Sequence, residues 1–277
     1  MEKILVATDL SANSIPAIQF AYNLSQIKGA TLVIVHVYHV FRPKSWRTNR
    51  YENYRKERKI FILKKLHRLI DRSLNIKEEL APPYEIDLQM NPNTVSTILK
   101  CAKKHKCTYI CIGTQGQGSS IIKKTIGSFA SKLIAKSPIP IFSIPGTYKQ
   151  KKIESICYAS DLNNYQKEVR KVASLASVLQ AKIRILHIFS SPQNLVKTSV
   201  IEARLFKRTG VIIKMQYSPR ISSNSLIEDI NSALKKIKPS IAAFFINKST
   251  DLNSLLYTEE SPSSSLFKKI PIVTFKK

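Results

Sequence analysis

A short apolar run that ends on the same turn occurs twice in this chain. Lys3–Ala7 (KILVA) runs into Thr8-Asp9-Leu10, and Ser155–Ala159 (SICYA) runs into Ser160-Asp161-Leu162. Such a run, apolar without alternation, suits a strand buried on both faces of a parallel sheet. The elements that follow come in the same order both times, which implies an internal duplication at a domain-sized period. At 277 residues the chain has room for two domains, each large enough to bury its own core. The boundaries read as 1–147 and 151–277, with a linker around Tyr148–Lys152.

In the first copy, Ser11 or Asn13 is the expected cap of a helix that carries Ile15, Ile18, Ala21, Tyr22 and Leu24 at helical spacing. Gly29 marks its end. Thr31–Val37 is a second buried strand. A long basic helix, roughly Arg50 to Leu74, has an apolar face of Ile60, Leu63, Leu66, Leu69 and Ile70. Tyr84–Gln89 reads as a third strand. Asn91 and Pro92 open a helix, Tyr109–Ile112 is a fourth strand, and a helix from about Gly127 to Lys136 leads to a fifth, Ile139–Ile144. In the second copy the strands read as Ser155–Ala159, Ala181–Phe189, Val211–Gln216, Ile241–Ile246 and Ile272–Phe275. Helices are marked by Val169, Val172, Ala173, Leu175 and Ala176, and by Leu226, Ile230 and Leu234. His187 matches His36.

No apolar run is long enough to span a membrane, and the start does not read as a signal peptide, so the expected location is cytoplasmic. The four cysteines form no CxxC pair and read as buried small hydrophobes, with no histidine or carboxylate cluster beside them for a metal. The net charge of +27, from 45 basic and 18 acidic residues, is unusual. It reads either as lysine bias on solvated faces or as a field that attracts polyanions.

Ligands of open α/β sheets sit beyond the carboxyl ends of the strands, near the switch in strand order. With a sheet order of 3-2-1-4-5, Asp9, Val37, the loop Gly113–Ser120 and Gly127-Ser128 gather there. Gly113, Gly116 and Gly118 let backbone approach a ligand without a Cβ clash. Backbone N–H groups at a helix start, with the Ser128 hydroxyl, favour phosphate oxygens. Asp9 suits a ribose hydroxyl or a metal beside phosphates, and Val37 offers backbone groups to an adenine edge. An ordinary loop and a helix-capping carboxylate are the plainer readings of the same residues. His36 and His187 read as core histidines at strand ends, and Asp161 as a structural cap.

The run from KILVATDLS through GTQGQGSSIIKKTIGSFASKLIAKSPIPIFSIP resembles the universal stress protein family in its tandem two-domain form. The family motif is G-x2-G-x9-G-[ST]; here ten residues, Gln117–Ile126, separate Gly116 from Gly127. Thr108 stands where the family usually has Asp, and Asn91 near its usual Gly. The second half resembles the family by element order and Ser-Asp-Leu, and Ile246-Asn247-Lys248-Ser249 replaces its GxxG.

The resemblance implies two tandem Rossmann-like α/β domains of the adenine-nucleotide hydrolase superfamily. Each has a five-stranded, mostly parallel sheet, and a pseudo-twofold axis relates them. It implies pairing of the last strands, Ile139–Ile144 with Ile272–Phe275, as an internal dimer, with a homodimer of the chain and an unidentified protein partner left open. For the first domain it implies ATP or AMP, with Mg²⁺ if ATP. The implied contacts are Thr8, Asp9, Val37, Ile112, Gly113, Gln115, Gly116, Gly127 and Ser128, with Phe129 and Ala130 beside the phosphates. The second half is expected to bind no nucleotide. No dedicated catalytic set emerges, so the family allows at most weak ATP hydrolysis. A scaffold that binds no nucleotide, and a polyanion-associated basic protein, are the alternatives. The second of these requires basic residues of both halves in one stripe.

Overall fold

The computed structural model describes residues 1–74, 84–114, 128–191, 197–247 and 269–277. Its first strands and helices are β1 (Lys3–Ala7), α1 (Ile15–Lys28), β2 (Thr31–Tyr38), α2 (Thr48–Leu74), β3 (Tyr84–Met90), α3 (Thr94–Lys104), β4 (Cys107–Gly113), α4 (Ser128–Lys136) and β5 (Ile141–Ile144). The order then restarts with β6 (Ser155–Ala159), α5 (Tyr165–Leu179), β7 (Lys182–Phe189), α6 (Thr198–Thr209), β8 (Ile213–Pro219), α7 (Leu226–Ile237), β9 (Ile241–Ile246) and β10 (Ile272–Lys276).

The ten strands form one sheet in the order β3-β2-β1-β4-β5-β10-β9-β6-β7-β8. Each half therefore has the order 3-2-1-4-5, and the two halves are mirror-ordered about the seam. Every ladder is parallel except that seam, where Ile272, Val273 and Thr274 of β10 pair antiparallel with Ser143, Phe142 and Ile141 of β5. An antiparallel join of corresponding strands is what a local twofold produces. The last strands of the two halves thus cover each other's edges.

Side chains alternate across the strands, so the sheet has two cores. On one face Ile4, Val6, Leu32, Ile34, Cys111 and Phe142 pack with α1, α2, α5 and α6. On the other, Leu5, Ala7, Val33, Val35, Ile110 and Ile112 pack with α3, α4 and α7. Both cores run beneath the two halves. Phe20 of α1 meets Phe142 of β5 at 5.0 Å between ring centroids and Tyr148 at 6.0 Å. The segment expected as a linker is anchored at its start, where Tyr148 is buried, while Lys149, Gln150, Lys151 and Lys152 are exposed.

Some local expectations are corrected. Neither Ser11 nor Asn13 caps α1. A 3₁₀ turn, Ala12–Ser14, precedes the helix without a capping side chain, and Pro16 fills the first turn, where a missing N–H costs nothing. α3 starts at Thr94 because the Asn93 side chain accepts from Ser96 N–H. The chain also forms α6, which the sequence did not signal; it buries only Ile201 and Leu205, too few for a clear periodicity. β5 and β7 are shorter than expected, and β8 lies later, from Ile213 to Pro219. Gly29 does end α1, at φ +59.

Candidate functional site

The first-half site is built where β1 leaves the sheet. β1 pairs with β2 as far as Ala7↔Val35 and with β4 as far as Ala7↔Ile112. Thr8 N–H still donates to Val35 O at 3.0 Å, and then the chain turns away. Both neighbours continue: Val37 and Tyr38 pair with β3, and Gly113 pairs with Ile144 of β5. The gap between β2 and β4 is the crevice that a doubly wound sheet leaves at its switch in strand order.

The turn itself is tightly specified. Thr8 Oγ1 accepts from Leu10 N–H at 3.0 Å, and Leu10 is held at φ 64, a left-handed conformation that crowds Cβ against the backbone carbonyl and is costly for any residue but glycine. Asp9 Oδ1 accepts from Ser11 N–H at 3.0 Å, from Ser11 Oγ at 2.6 Å and from Ser14 Oγ at 2.8 Å. These three donors hold Asp9 Oδ1 in place. His36 lies behind the turn, 8 % exposed, with Nδ1 2.8 Å from Thr8 O. A carbonyl can only accept, so Nδ1 carries the hydrogen. Burial lowers the His36 pKa, outweighing the Thr8 hydrogen bond and the Asp9 charge.

These residues line a cavity of about 460 Å³. Its walls are Ala7 at the end of β1, Thr8, Asp9 and Ser14 from the turn, His36, Val37 and Tyr38 from β2, and Ile112 and Gly113 of β4 with Thr114 just after it. Thr94 and Ile98 of α3 and Phe129 and Ala130 of α4 close it. Of the sequence-expected contacts, Thr8, Asp9, Val37, Ile112, Gly113, Phe129 and Ala130 come together here. Ser128 opens α4. Gln115, Gly116 and Gly127 lie outside the described residues. Sequence reasoning missed Ala7, Ser14, Tyr38, Thr94 and Ile98 as lining residues, and held Thr114 only as part of the loop Gly113–Ser120. It took His36 only as a core histidine, which it is, but it also lines the cavity. An outer hollow of about 450 Å³ adjoins across Thr94 and Phe129 and carries Lys132 and Lys136. Among the described residues no group of His, Cys, Asp or Glu could hold a metal ion.

The second half repeats the frame and changes the contents. Ser160 Oγ accepts from Leu162 N–H at 3.1 Å, Leu162 sits at φ 63, and Asp161 Oδ1 accepts from Asn163 N–H at 3.0 Å. His187 Nδ1 lies 2.9 Å from Ser160 O. Strand register, however, equates Cys111, opposite Val6, with Ala243, opposite Tyr158. Phe245 therefore stands where the first half has Gly113. Its ring stacks on Phe275 at 4.9 Å and meets Tyr158 at 5.3 Å. Lys277 Nζ lies 2.8 Å from Asp161 Oδ2, and Tyr158 donates to the buried Glu168 carboxylate.

The model of the universal stress protein family matches residues 1–145, more than half of the chain and all of the elements that frame the cavity. The chain belongs to the universal stress protein family. Solved structures agree in fold. A universal stress protein from Archaeoglobus fulgidus DSM 4304 is 16% identical, with 99% of this chain and 98% of that one covered at a TM-score of 0.66. A putative universal stress protein from Pseudomonas aeruginosa UCBPP-PA14 is 13% identical, with 100% and 93% covered at 0.57. The universal stress protein from Archaeoglobus fulgidus in complex with dAMP is 17% identical and covers 52% of this chain and 98% of its own. Its TM-score of 0.36 is too low to place a ligand here. No curated protein matches the chain. Among the described residues no helix is long and apolar enough to cross a membrane.

Proposed function

We propose that this universal stress protein binds one adenine nucleotide, ATP or AMP, in the first half, and that it works as a stress-response regulator. The carrying observation is the cavity at the β1–β2–β4 crevice, which joins an apolar slot to a fixed carboxylate. Its volume lies within the range of small-molecule sites, which are mostly apolar with a few placed polar groups. Val37, Ile98, Ile112 and Phe129 suit a purine, Val37 backbone an adenine edge, and Asp9 a ribose hydroxyl. The start of α4, with Gly127 and Ser128, suits the phosphates, and Mg²⁺ accompanies ATP. The units are 1–147, which binds, and 151–277, which keeps the frame and pairs with it across β5 and β10. No catalytic role is assigned to any residue.

Calorimetry on the full chain tests this reading. ATP or AMP should give saturable binding that a Gly116→Arg variant loses. Absence of binding at millimolar nucleotide would sink it and favour a scaffold that binds no nucleotide.

A further inference from the structure

Away from the cavity, the outer side of α2 carries an ordered row. Trp46, just before the helix, is followed by Arg50, Tyr54, Arg58, Phe61 and Lys65. Steps of three and four residues place side chains one above another on a helix. Cation and ring alternate along the row. The Arg50 guanidinium lies 4.7 Å from the Trp46 ring centroid, Arg58 5.2 Å and Lys65 5.1 Å from that of Phe61. Trp46 and Tyr54 meet edge-on at 5.2 Å. Arg68 and Arg72 continue the same spacing, so the row from Arg50 runs about 33 Å.

These rings are not core. Tyr54 is 39% and Phe61 47% exposed, while the helix buries a different face, Ile62, Leu66, Leu69 and Ile70. Glu57 lies beside the row and Glu52 is taken by Arg55 at 2.7 Å, so cations prevail along it. The row lies within the first half; the stripe shared by both halves that a polyanion reading required is not needed.

We propose that this row is a docking surface for single-stranded nucleic acid. The cations track the phosphates, and the Tyr54 and Phe61 rings stack on unpaired bases. Sites for single strands combine those two elements, and the +27 charge of the chain raises the local concentration of any polyanion. A bilayer fits less well. An interfacial helix buries a broad apolar face, and that of α2 is spent on the core. A duplex fits less well too, because its bases are stacked inside and only the cations could engage.

The test uses the full chain and a fluorescein-labelled oligothymidylate of about 20 nucleotides, followed by anisotropy as salt is raised. Trp46, the sole tryptophan, reports stacking through its emission. Binding should weaken with salt and quench Trp46. Tyr54→Ala with Phe61→Ala should cost tenfold or more in affinity, whereas Tyr54→Phe with Phe61→Tyr should retain it. Unchanged melting of both variants would separate lost binding from lost fold. The proposal is overturned by no binding at low salt, by a ring-free variant that binds like the original, or by a duplex bound equally well. Capture by phosphatidylserine vesicles without oligothymidylate binding also overturns it.

Discussion

Lys277 places its ammonium 2.8 Å from Asp161 Oδ2, on the aspartate that occupies in the second half the position of Asp9 in the first. Among the described residues the two carboxylates have different side-chain partners. Asp9 is met by the hydroxyls of Ser11 and Ser14, and Asp161 by a cation from β10's far end. Burial alone would raise the Asp161 carboxyl, but the Lys277 hydrogen bond and the Asn163 N–H outweigh it and hold the pKa below its ordinary value.

That ion pair is solvent-exposed on both sides, with 28% and 45% of the side chains accessible. Exposed pairs contribute little to stability. Lys277→Met should lower unfolding free energy by no more than about 1 kcal/mol in a denaturant titration. A much larger loss would mean that the lysine supports the buried Glu168, 4.0 Å from it, more strongly than geometry indicates.

Ser143 sits on β5 at the seam, fully buried, and its hydroxyl has no hydrogen-bond partner among the described residues. A buried unpaired hydroxyl costs about 1–3 kcal/mol of desolvation. Ser143→Ala removes that group with almost no change in volume, so it should stabilise the protein by about 1 kcal/mol. Chemical denaturation of the two proteins side by side checks the sign.

At the outer edge of the sheet, His105 Nε2 lies 2.7 Å from Asp87 Oδ2, and Lys104 Nζ 3.6 Å from the same oxygen. Burial pushes the Asp87 carboxyl up, but hydrogen bonds from Gln89 and His105 and the Lys104 charge prevail and hold it below its ordinary value. The resulting stabilisation is complete above the unfolded-state pKa, about 3.9, and is lost as pH falls through the lower folded value. Asp87→Asn should therefore be less stable near neutrality, and its deficit should shrink in acid. A deficit that grows on acidification would contradict this.

All four cysteines are free and buried. Burial pushes the thiols of Cys101 and Cys107 up to about 11 and that of Cys157 to about 12, and raises Cys111 further. The thiolate is the reactive form. A chromogenic thiol reagent at neutral pH should label none in the folded chain and all four in denaturant.

Much of this frame was legible because buried strands announce themselves. Lys3–Ala7 and Ser155–Ala159 were placed to the residue, whereas the pairing of the last strands was implied by the family resemblance. α6 was not legible, since a helix that buries two side chains has no strong period. The α1 start misled because Ser11 looked like a cap, yet it spends its hydroxyl on Asp9. At the site, residues next to the turn and the glycine were readable from the chain. Thr94 and Ile98 were not, because they reach the cavity only through the packing of α3 on the sheet. Phe245 opposite the place of Gly113 needed strand register, which shifts the comparison by one residue from that suggested by the sequence.

The number of nucleotides held by one chain tests the central claim most directly. Equilibrium dialysis against labelled ATP and AMP should give one equivalent per chain. That value should persist in Asp161→Asn and vanish in Gly116→Arg. Two equivalents, none at millimolar nucleotide, or one that survives Gly116→Arg would contradict the account.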